Sequence, residues 1–110
     1  MLFIHLFPGL ALLLLGAIFK KWPPKHINWL YGYRTKASMR NQHTWDEANR
    51  YAANLVVIYA LVTIAIGIAF YFLMSFPMSF FMVIGILLVF LVLSILQTEW
   101  HLEKIFGDGM

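Results

Sequence analysis

Cysteine is absent from the 110 residues, which excludes disulfides and thiolate-bound metal and leaves the redox compartment unread. Charge is scarce as well: 12% of the residues are charged, against about 25% in an ordinary soluble domain. From Tyr51 to Thr98 there is no Asp, Glu, Lys, Arg or His. A stretch of that length with no charged side chain cannot supply a solvated surface, so a water-soluble globular fold is excluded. Hydrophobic residues make up 62% of the chain, and the reading that remains is an integral membrane protein of one domain, residues 1–110.

The apolar runs predict an all-α membrane fold of three transmembrane helices, because a helix needs about 20 apolar residues to cross the hydrocarbon core. The first span is expected over 2–19, with Pro8-Gly9 either starting or kinking the helix. A cleaved signal peptide is disfavoured by the lack of a basic leader and an A-x-A site. Lys20-Lys21-Trp22-Pro23-Pro24 then reads as a membrane boundary and a helix stop. The second and third spans are expected over 55–74 and 80–97, joined by the Ser75 to Ser79 turn.

Seven of the eight Lys and Arg residues fall between Lys20 and Arg50. That asymmetry predicts a polar intracellular loop over 20–50, an external amino terminus and a cytoplasmic carboxyl terminus. Basic residues interleaved with apolar ones beside membrane spans point to membrane lipids as partners and away from direct nucleic-acid binding. Thr44-Trp45-Asp46-Glu47 fits the capping box S/T-x-x-E, which predicts that a long second helix starts at Thr44, with Ser38 as the rival start.

Few sets of residues in the chain could carry chemistry. His26, His43 and His101, with Asp46, Glu47 and Glu99, lack the spacing of a zinc site, so no metal or cofactor is expected. Asp46 and Glu47 are neighbours on a helix and point apart, which weighs against a carboxylate pair and against an enzyme. His5 reads as an interfacial residue near the outer end of the first span. Ala65 and Ala69, with Gly67 nearby, read as a packing face within the bundle, and a homo-oligomer stays open. Arg34, Arg40 and Arg50 stand among amides, hydroxyls and aromatic rings. Guanidinium forks suit carboxylate or phosphate. The competing reading is an ordinary interfacial loop, with an Asp46–Arg50 ion pair at i,i+4.

Asn28, Tyr31-Gly32-Tyr33-Arg34-Thr35, Ser38, Asn41, Trp45 and Ala48-Asn49-Arg50 together resemble the signature of the SdpI/YfhL family of small bacterial membrane proteins. That signature runs approximately N-x-x-Y-G-Y-R-T, a short gap with Ser, then N-x-x-x-W-x-x-A-N-R leading into a membrane helix. The match extends over about 23 residues, and the three spans suit the shorter branch of the family. The resemblance implies location in the bacterial cell membrane and immunity to a secreted antimicrobial peptide toxin of the SdpC type. It also implies, for the founding member, a receptor role that draws a transcriptional repressor to the membrane.

Two functions from different classes are therefore expected. In the first, the signature residues and Arg40 form a site that meets the toxin: Arg34, Arg40 and Arg50 for charge, Tyr33 and Trp45 for packing, and Asn28, Asn41 and Asn49 for hydrogen bonds. In the second, the same arginines hold an anionic lipid or envelope-precursor headgroup at the inner leaflet.

Overall fold

The computed structural model describes residues 2–28 and 32–107. Three antiparallel helices account for most of them: α1 (Leu2–Lys21), α2 (Gln42–Leu73) and α3 (Met78–Phe106). All three are long and apolar enough to cross a membrane, and the described residues contain no strand. At 32 residues α2 is about 48 Å long, well beyond the roughly 30 Å hydrocarbon core. Its first turns, Gln42 to Arg50, therefore project past the apolar slab and give the connector a rigid edge to fold against.

The start of α2 differs from the sequence expectation. Asn41, not Thr44, is the N-cap: its Oδ1 accepts from the Thr44 amide at 3.0 Å, and Thr44 Oγ1 accepts from the Asn41 amide at 3.1 Å. Both residue types suit the reciprocal geometry, and placing Asn41 first frees Glu47 to reach another helix. The first helix starts at Leu2, as the expected span does, and continues through Pro8 rather than beginning there. The loss of one backbone donor there is tolerated where a neighbouring helix packs against the site, and Pro8 is buried.

Small residues hold the bundle together. In lipid no hydrophobic force separates leucine from its surroundings, so close approach of backbones matters most. The buried stripe of α1 is His5, Pro8, Gly9, Leu12 and Gly16, a helical repeat that faces α2. A Cβ on Gly9 would lie 2.6 Å from Ile64 Cγ1, and one on Gly16 would lie 2.8 Å from Val57 Cγ2. Gly67 returns the favour on α2, where a Cβ would sit 2.6 Å from the His5 carbonyl oxygen. Ala65 and Ala69, expected to pack within the bundle, are instead exposed; the glycines are the points of contact. Buried Thr63, Ser94 and Thr98 return their hydroxyls to backbone carbonyls on their own helices, so they cost little in an apolar setting.

His5 also departs from the sequence expectation. It is 1% exposed, not interfacial, with Nε2 2.5 Å from Ser79 Oγ at the start of α3. Tyr71 and Phe76 flank its ring, so a polar link across α1 and α3 helps to pin this end of the bundle. No single-sequence signal announces that link, because the partners are 74 residues apart.

Candidate functional site

At the opposite end, the carboxyl termini of α1 and α3 meet the amino terminus of α2, and the described parts of the α1–α2 connector (22–28 and 32–41) pack against them. Lys21 Nζ lies 4.8 Å from the Trp22 ring centre, and Lys104 Nζ lies 5.3 Å from that of Trp100. Tryptophan with lysine on two helices marks one membrane boundary.

Most of the signature residues lock the connector into place. Gly32 has φ 108°, the left-handed region, and a Cβ there would lie 2.6 Å from both Asn49 Oδ1 and Pro24 Cγ, so only glycine fits. Asn49 sits against this turn. Its Oδ1 accepts from the Tyr33 amide at 2.5 Å, and its Nδ2 reaches the Tyr33 and Trp45 carbonyls at 3.3 and 2.9 Å. Trp45 is fully buried and donates its indole N–H to the Pro24 carbonyl at 2.8 Å. Ser38, also fully buried, accepts from the Thr35 amide at 2.8 Å while its hydroxyl lies between the Tyr33 and Thr35 carbonyls.

Glu99 on α3 completes the lock. Its Oε2 accepts from both Tyr33 Oη and Thr35 Oγ1, each at 2.8 Å. Sequence reasoning missed this role for Glu99. The available signal was its position, the first acid after a long uncharged run. Burial, and then the Glu99 carboxylate, raise the Tyr33 pKa above the ordinary phenol value of 10.0. The folded connector thus keeps a proton that an unfolded one releases near pH 10. The contribution of Tyr33 is complete below that value and declines as pH rises beyond it. A spectrophotometric titration against Tyr33→Phe should show one tyrosine that ionises only as the connector opens. Ionisation at the ordinary value with the connector still protected from protease would contradict this.

Arg34, Arg40 and Arg50 stay on the surface, and they do not converge. Arg34 lines a groove of about 570 Å³ with Ile27, Asn28, Lys36 and Met39. Arg40 donates to the Gly107 carbonyl at 3.2 Å, beside Glu99 and Glu103. Arg50 pairs with Glu47 at 2.5 Å, not with Asp46, which accepts from Gln42 at 2.7 Å. Glu47 also lies 2.6 Å from His101 Nε2, tying α2 to α3, and the His101 ring stacks on Tyr51 at 3.9 Å. Arg50 is the main cause that holds the Glu47 carboxyl below the usual range. Asn28 donates to the His26 carbonyl, and Tyr31 lies outside the described residues. Among the described residues no group of three His, Asp or Glu side chains could hold a metal ion.

The described family signature of the SdpI/YfhL proteins matches residues 25–96, which takes in most of the connector, all of α2 and most of α3. The chain belongs to the SdpI/YfhL family. A curated family relative, the uncharacterized protein YfhL of Bacillus subtilis strain 168, is 45% identical over 60 residues, 54% of each chain. The chain thus spans about half the length of the curated relative it matches. No solved structure matches it. As a member of the SdpI/YfhL family with three apolar helices, it is a multi-pass membrane protein.

Proposed function

We propose that this SdpI/YfhL protein confers immunity to a secreted killing peptide of the SdpC type, which it meets in or at the membrane. The observation that carries the reading is the family match, which runs from Lys25 across the locked connector and into both following helices. With the connector on the cytoplasmic side, as its basic residues favour, the peptide is met at the inner boundary. The chemistry fits a division of labour. Trp45, Ser38, Asn41 and Asn49 spend their polar atoms on the scaffold, while Arg34, Arg40 and Arg50 remain accessible to a ligand.

Expression in a bacterium sensitive to such peptides should confer survival in their presence. Truncating an arginine anchor at a binding surface usually changes affinity by about tenfold or more, so Arg34→Ala should lower the tolerated dose by at least that factor. The variant should insert at parental levels and keep the connector protected from protease. Parental survival of Arg34→Ala would show that this arginine takes no part in protection.

A further inference from the structure

We propose that the groove between the end of α1 and the start of α2 binds one anionic glycerophospholipid. Its phosphate would be held by Lys20, Lys25 and Arg50, and one acyl chain would lie between the helices.

This groove, of about 420 Å³, is separate from the one that Arg34 lines. Three cations and one carboxylate, Asp46, line it, and that carboxylate already accepts from Gln42. Neither Lys20 nor Lys25 has an ion-pair partner among the described residues. Arg50, although paired with Glu47, keeps 59% of its side chain exposed. The groove therefore carries an excess of positive charge at the depth that Trp22 and Trp100 assign to lipid headgroups. Basic pockets beside membrane helices are suited to anionic headgroups.

A second observation comes from Asn54, one turn beyond Arg50 and inside the same groove. Every fully buried polar side-chain atom among the described residues has a partner. Asn54 is half-buried within the apolar reach of α2, yet its amide makes no hydrogen bond among the described residues. An amide with unused donors beside three cations suits a ligand that brings acceptor oxygens. Phosphate and ester oxygens accept hydrogen bonds there.

The third observation favours a lipid over a free anion. Phe19, Asn49 and Ala53 form a wall common to this groove and to an apolar slot of about 280 Å³. Leu15, Val56, Leu91 and Ile95 line that slot, which opens between the helices below the connector. A charged mouth adjoining an apolar slot matches an amphiphile with an anionic head and a hydrocarbon tail.

Native mass spectrometry of the purified chain, in neutral detergent with equimolar phosphatidylglycerol and phosphatidylcholine, tests this directly. One phosphatidylglycerol per chain should be retained, with a preference of about tenfold or more as expected for two or three cations. The Lys20→Gln/Lys25→Gln double variant should bring the two lipids to parity, and Asn54→Leu should weaken retention several-fold. Lys104→Gln removes a charge at the same end but outside the groove, and should change nothing. The proposal is overturned by parity in the parent, by a preference that survives the double variant, or by an equal loss in Lys104→Gln. Displacement by equimolar glycerol phosphate would overturn it too, since it would reveal a site for the free anion. Because the readout is lipid retention alone, its failure leaves the immunity reading to be decided by survival.

Discussion

Asn49→Ala is expected to free the connector from α2 and to abolish protection against the killing peptide. Asn49 is 7% exposed and its side chain makes three hydrogen bonds, two of them to the Tyr33 backbone. Its loss strands the Tyr33 amide against a buried surface and leaves the Tyr33 carbonyl only the Ser38 hydroxyl, at a cost of about 3 kcal/mol for the three bonds. That is roughly a hundredfold in the population of open connector. Limited proteolysis across 22–41 should accelerate accordingly, while membrane insertion, which depends on the apolar spans, stays intact. Cleavage as slow as in the parent would show that Asn49 does not hold the connector. Together with Arg34→Ala, this variant separates the two roles: Asn49→Ala loses protection because the surface is disassembled, Arg34→Ala because a contact is missing.

Gly67→Ala should have the second largest effect, on the bundle itself. Helix propensity alone favours alanine by up to about 1 kcal/mol. The added methyl, however, would lie 2.6 Å from the His5 carbonyl oxygen, a backbone atom that cannot rotate away. Overpacking of this kind costs about 1–3 kcal/mol, so the collision outweighs the propensity. Gly85→Ala is the internal comparison, because a Cβ there meets nothing within 4 Å. Unfolding in mixed micelles should rank Gly67→Ala well below the parent and Gly85→Ala at or above it. Equal stability of the two variants would rule out close helix approach at Gly67.

The three crossings were legible because an uncharged run has few ways to exist in water, and the long α2 was legible from its continuous pattern. Its first residue was not. Asn41 and Thr44 are both good caps, and the choice depends on Glu47, whose partners are Arg50 and, on another helix, His101. The signature residues stood out in composition and spacing, but their use could not be read from them. A run of Asn, Ser, Thr, Tyr and Trp describes equally well a ligand site and a self-bonded turn. What distinguishes these is Glu99, 64 residues beyond Thr35, and Pro24, 21 residues before Trp45. His5 was misread for the same reason, since Ser79 lies in the last helix.

The reliance on Glu99 also imposes an order on biogenesis. When Tyr33 and Thr35 leave the ribosome, the carboxylate that will accept from them has not been synthesised, and two further crossings must be threaded before it arrives. The nascent chain therefore exposes an unlatched segment until its final helix is in place. A protease on the side of the membrane that holds the connector would have that interval in which to discard products whose last crossing never entered the bilayer.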